Sequence, residues 1–177
     1  MTETIKTVFE LLAKYNTITN NEMLDILGGL EPSTLTEDLG SYYGSILGLL
    51  NHQLLADLAW MRALGENISS LDFVTSIIGK FKFQRLLPKE LNWKTLEEYT
   101  LVRKEIDELL ERIIKTLTLH EYTDPIKIEG RRGTMEYLPF HILLQLFNHH
   151  THHRGGVAVL LDQLNIENSY SNLLWKV

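Results

Sequence analysis

The sequence predicts an all-α protein, a four-helix bundle with long crossover connections and a small hairpin before its last helix. Three observations carry this expectation. Apolar residues recur at three- and four-residue spacing through four long segments. Glycine and proline bound those segments. The only alternating stretch, Ile126-Lys127-Ile128, is short and followed by Gly130 and Gly133. At 177 residues with 44% hydrophobic content, the chain reads as a single domain, 1–177, able to bury a sizeable core.

The first helix is expected over residues 4–27, with Ile5, Val8, Phe9, Leu12, Tyr15, Met23, Leu24 and Leu27 on one stripe. Gly28-Gly29 ends it, and Pro32-Ser33-Thr34 opens a connector in which Ser33 or Thr36 caps a short turn. The second helix is expected over 40–64. Its glycines at 40, 44 and 48 recur every four residues and so would line one face, suited to close helix packing or to a second copy of the chain. Residues 65–92 form a long crossover with an apolar piece at 73–78, the basic Lys80, Lys82 and Arg85, and Leu87-Pro88.

The third helix is expected over 95–118. Thr95 and Glu98 have capping-box spacing, and Val102, Ile106, Leu109, Leu110, Ile113 and Leu117 face inward. Its charged side, including Glu105, Asp107, Glu108, Glu111, Arg112 and Lys115, reads as solvated surface. A hairpin or ordered loop falls within 120–137. The last helix runs over 139–164, with Pro139 in its first turn, and Leu173, Leu174 and Trp175 of the tail are expected to dock on the bundle.

Composition narrows the partners. Seventeen Lys+Arg face 23 Asp+Glu, a net charge of −6. That balance argues against capture of nucleic acid or anionic membrane, both of which need clustered cations. Lys80, Lys82, Arg85, Arg131, Arg132 and Arg154 amount to a small basic rim. No run of about 18 apolar residues exists, and the first twenty residues lack a signal-peptide pattern, so the expected compartment is the cytoplasm. With zero cysteines there is no disulfide, thiolate ligand or cysteine nucleophile.

Four of the seven histidines fall within five residues: His149, His150, His152 and His153. On a helix, His149 and His153 stack one turn apart, their Cβ atoms about 5–6 Å from each other. Two imidazoles so placed can meet on one ion. His150 and His153 are also one turn apart, on an equally apolar stripe, and spacing alone leaves both pairs open. His52 is the candidate third ligand, flanked along its stripe by Ala56 and Ala59, which leave room around an ion. Three histidines and an open position match a catalytic more than a structural site, and Zn, Ni and Fe all suit imidazole donors. His120 and His141 lie near helix ends and read as surface or packing residues.

LLNHQLLADLAWMRAL (49–64) and LFNHHTHHRGGVAVLL (146–161), with YNTITNNEMLDIL in the first helix, resemble the DinB/YfiT-like family of small bacterial bundle proteins. The likeness rests on a His-x4-Asp-x2-Trp run in the second helix and a His-x2-His-His-Arg-Gly run in the fourth, and it extends over nearly the whole chain. It implies a divalent metal on His52, His149 and His153. By the same resemblance His152 is a neighbouring histidine that is not usually a ligand, while Asp57 and Trp60 match the family's Asp and Trp. Asp57 is then expected to pair with Arg154 or another fourth-helix group, the alternative being a carboxylate facing solvent. One departure stands out: Gly156 replaces the family's usual glutamine, removing an amide close to the site.

The resemblance further implies a small-molecule substrate, a homodimer, and a metal-dependent enzyme of the thiol-transferase type using a low-molecular-weight thiol. The alternatives are a metal-dependent hydrolase, a stress-associated metal-stabilised binding module without catalysis, and a metal-free packing protein. A general acid or base is not evident; Glu136 and Tyr137 are the nearest candidates.

Overall fold

The computed structural model describes residues 2–84, 87–130 and 133–176, with side chains from residue 5 onward. Arg85, Arg131 and Arg132 of the basic rim lie outside the described residues. Helix α1, Thr2–Gly28, buries Phe9, Ala13, Met23, Leu24 and Leu27 and stops at the glycine pair. Helix α2, Pro32–Thr36, starts on its proline and buries Leu35. Neither expected cap acts there: Glu31 occupies the N-cap without a side-chain bond, and Thr36 Oγ1 donates back to the Ser33 carbonyl.

Helix α3 is Ile46–Asn67, six residues shorter at its start than 40–64 would have it. Ser45 caps it, its hydroxyl accepting from Gly48 N at 3.0 Å. Gly40 and Gly44 therefore do not belong to a helix face. They sit at φ +76° and +81°, in a turn that side-chain-bearing residues rarely adopt. A homodimer through a glycine face loses its basis. Helix α4, Asp72–Ile78, occupies the apolar piece of the crossover.

Helix α5, Leu96–Thr116, opens as expected: Thr95 Oγ1 accepts from Glu98 N at 3.2 Å, while the Glu98 carboxylate accepts from Lys94 N at 2.7 Å. Strands β1, Ile126–Gly130, and β2, Gly133–Tyr137, pair antiparallel from Ile126↔Tyr137 to Gly130↔Gly133, the expected hairpin. Helix α6, Pro139–Gln163, follows. The fold is thus mostly helical with one small two-stranded sheet. Among the long helices, α1 packs on α5 and α6, and α3 packs on α5 and α6.

The tail docks differently from expectation. Leu174 and Trp175 are 81% and 82% exposed. Anchoring comes instead from buried Tyr170, whose hydroxyl donates to the Arg154 carbonyl at 2.9 Å, and from Tyr15, which donates to the Ser171 carbonyl. Leu173 is half-buried, and Ile166 packs against the core.

A polar layer crosses the interior. Asp57 of α3 lies between Arg103 of α5, at 2.5 Å, and His150 of α6, at 2.6 Å. Arg103 also lies 2.7 Å from Asp107, one turn along α5. Asn16 and Asn20 of α1 donate to Asp107 at 3.0 and 2.9 Å. Their side-chain oxygens accept from Arg154 of α6, and Asn16 Oδ1 also meets His150 Nδ1. Asp107 is consequently buried, contrary to its reading as surface, because Arg103 and two amides satisfy its oxygens. Burial pushes the Asp57 carboxyl up, but the charges of His150 and Arg103 outweigh it and hold the group below the usual carboxylate range.

Removing one partner strands the others in a dry interior. Asp57→Ala is expected to lower unfolding free energy by about 3–5 kcal/mol. Urea titration followed by far-UV circular dichroism measures it; a loss no larger than that of an exposed control such as Asp72→Ala would contradict the structural importance of the layer.

Candidate metal centre

The site is built by two helices and one turn. His52 lies on α3, and His149 and His153 lie one turn apart on α6, as helical spacing requires. Their ring nitrogens converge: His149 Nε2 is 3.2 Å from His52 Nε2 and 2.9 Å from His153 Nε2. Three donor atoms, one per ring, lie within 4.8 Å of one another and could hold a metal ion. Bonds of 2.0–2.1 Å to a tetrahedral ion require nitrogen separations of about 3.3–3.4 Å. The two separations to His149 fall about 0.1–0.5 Å short of that spacing.

The turn before α3 supplies a wall. The Tyr43 ring stacks on His52 with centroids 4.1 Å apart and planes 19° apart, and its edge approaches His153 at 5.8 Å. Gly48 permits this approach, since a Cβ there would come within 2.2 Å of the Tyr43 carbonyl. The recurring glycines thus shape the turn that brings an aromatic ring onto a candidate ligand.

Burial holds all three histidines below their ordinary value. For His52 the Asp57 charge opposes the shift and the His152 charge adds to it. His149 falls to about 4 and His153 to about 3; neighbouring histidines reinforce desolvation in both cases. The rings are neutral near pH 7, the state in which one nitrogen of each ring offers a lone pair.

A DinB family model matches residues 1–176. The chain belongs to the DinB family. It is also 26% identical over 155 residues to Protein DinB of Bacillus subtilis (strain 168), a match that covers 86% of this chain and 83% of that relative.

Around the cluster of this DinB-family chain, His150 is turned away. Both its ring nitrogens face oxygens, Asp57 Oδ1 and Asn16 Oδ1, so the 150/153 pairing that spacing left open is not the one brought together. Asp57 does contact the fourth helix, but through His150; Arg154 is committed to Asn16 and Asn20. His152 is exposed and touches the cluster only by its ring edge on His153, at 4.8 Å. Trp60 packs against Tyr137, whose hydroxyl meets Met135 Sδ, and Glu136 is exposed. No hydrogen bond or ring contact among the described residues joins Glu136 or Tyr137 to the three histidines. A Cβ at Gly156 would sit 3.4 Å from Leu49 Cδ2, one turn before His52, so the position packs against the stretch of α3 that carries His52.

Sequence reasoning missed Tyr43, Asn16, Asn20, Arg103 and the inward role of His150. A signal existed for the asparagines: Asn16 and Asn20, one turn apart, fall within the buried face of α1 between Ala13 and Leu24.

Gly48→Ala forces the Tyr43 carbonyl aside and is expected to lower stability by about 1–3 kcal/mol. It should also remove the ring-current shift of Tyr43 on the His52 protons in NMR spectra; an unchanged shift would separate the glycine from the site. A second expectation concerns acid. Native His149 and His153 protonate near pH 4 and 3, whereas unfolded histidines do so near 6.5. The unfolded chain binds more protons in between, so stability falls as pH drops from about 6.5 towards 4. With metal removed, the urea midpoint should decline more steeply across that window in wild type than in a His149→Gln, His153→Gln double variant. Parallel declines would contradict the assigned shifts.

Proposed function

We propose that this DinB-family chain binds a divalent metal through His52, His149 and His153, and works as a metal-dependent enzyme of the thiol-transferase type on a small molecule. The observation that supports the reading is the convergence of three neutral imidazole nitrogens, one of them on His52, which also lines an open cleft of about 510 Å³. The donor set suits Zn, Ni or Fe. The four long helices are read as one bundle spanning a single domain, 1–177, that carries the site between its second and fourth members.

Such an ion supplies activation of a bound thiol or water near neutral pH. The chain's own residues supply position. Tyr43 fixes the plane of His52, the α6 backbone fixes the spacing of His149 and His153, and the Asp57–His150 contact fixes the rotation of α6. With no cysteine in the sequence, a transferred thiol comes from a low-molecular-weight cofactor. The alternatives use the same ligands differently: a hydrolase takes water in the open position, and a binding module holds the ion for stability alone.

Elemental analysis of purified protein should find about one ion per chain in wild type and in His152→Ala, and a marked loss in His149→Ala. A thiol-adduct assay with a model electrophile should then run faster for wild type than for His149→Ala. Equal metal content in wild type and His149→Ala would sink the ligand assignment, and equal rates would sink the enzyme reading while leaving the metal site intact.

A further inference from the structure

We propose that the outer face of α6 docks α6 of a second copy of this chain, the two helices pairing antiparallel about a two-fold axis between Thr151 and His152. The surface is distinct from the glycines at 40, 44 and 48, and the inference is independent of the metal reading.

Charge marks the face. On α5, Glu97, Lys104, Glu105, Glu108, Arg112 and Lys115 all stand at exposed positions, as on a helix side that meets water. From Pro139 to Leu161, α6 has no carboxylate and no lysine. Its one guanidinium, Arg154, is buried against Asn16 and Asn20. Exposed positions of α6 carry Leu144, Asn148, Thr151, Gly155 and Val159, three and four residues apart and so aligned on one side. Leu144 is 46% and Val159 56% exposed. Val8 and Leu11 of α1 are exposed too, on the side of α1 from which Tyr15 meets the Arg154 guanidinium, and they widen the apolar surface.

Gly155 points to what covers the face. A glycine inside a helix weakens it relative to alanine. Nothing in the described chain requires one there: its φ is not positive, and a Cβ would meet no atom within 4 Å. A side chain left out at an exposed position, with no neighbour to make room for, lets the backbone of another helix come close.

The occupant is a second copy because the face complements itself. Chains of net charge −6 repel one another wherever carboxylates are exposed, and this strip has none. The two-fold pairing sets Leu144 against the partner's Val159 and Asn148 against the partner's Gly155. Aliphatic groups then meet at both ends of the strip, and each amide enters the gap that a glycine leaves.

Sedimentation velocity on the purified protein, across about 1–100 µM, should show a species of twice the monomer mass. Leu144→Glu and Gly155→Leu should each raise its dissociation constant about tenfold or more, with circular dichroism unchanged because both positions are exposed. Leu144→Glu combined with Val159→Lys should restore association, since antiparallel pairing brings the two introduced charges together. Leu101→Glu on α5 and Trp175→Glu on the tail, both more exposed than Leu144, should leave the wild-type constant in place. A monomer throughout the range would overturn the proposal. So would association that Leu144→Glu and Gly155→Leu do not weaken, that the double variant does not recover, or that Trp175→Glu alone abolishes.

Discussion

The contact of Asp57 with both Arg103 and His150 is the constraint on which the remaining geometry depends. Those groups belong to α3, α5 and α6, and Asp107 with Asn16 and Asn20 extends the layer to α1. Buried ions add little net stability compared with apolar packing, but they penalise every arrangement that separates them. A quarter-turn rotation of α6 would remove both His150 and Arg154 from their partners. The layer therefore holds α6 in the one rotation that points His149 and His153 at His52. His150 works on one side of the helix so that its neighbour can work on the other.

A second dependence runs through the backbone. Tyr43 reaches His52 only because the chain turns at Gly40 and Gly44 with positive φ and then passes Gly48 at a distance that excludes any side chain. The same short segment thus caps α3, places an aromatic ring on a candidate ligand and supplies one wall of the cleft. Site and helix start are a single construction.

Long-period features were legible in the sequence. The stripes of α1, α5 and α6, the Thr95 cap and the hairpin near Ile126 follow local rules that operate within a few residues. The glycines at 40, 44 and 48 misled because four-residue spacing is shared by a helix face and by this turn, and only φ distinguishes them. Asp107 read as solvent-facing because its position among charged neighbours of α5 gives no hint of Arg103 and two asparagines closing over it. Spacing left His149 and His150 open and the family likeness chose His149 with His52, whereas the contacts of His150 could not be read from either, because its partners come from α1 and α3. Contacts between distant segments leave no period behind.

The distance in sequence between His52 and His149, 97 residues, has a consequence for the unfolded chain. A protein without cysteine has no covalent way to join its second and last long helices. An ion shared by those two residues would be a removable cross-link over that span. In the chain-entropy account, a link closing a loop of such length withdraws about 4–5 kcal/mol of conformational freedom from the unfolded state. The persistence of the fold would then vary with the supply of metal, as that of a secreted protein varies with the redox potential around it.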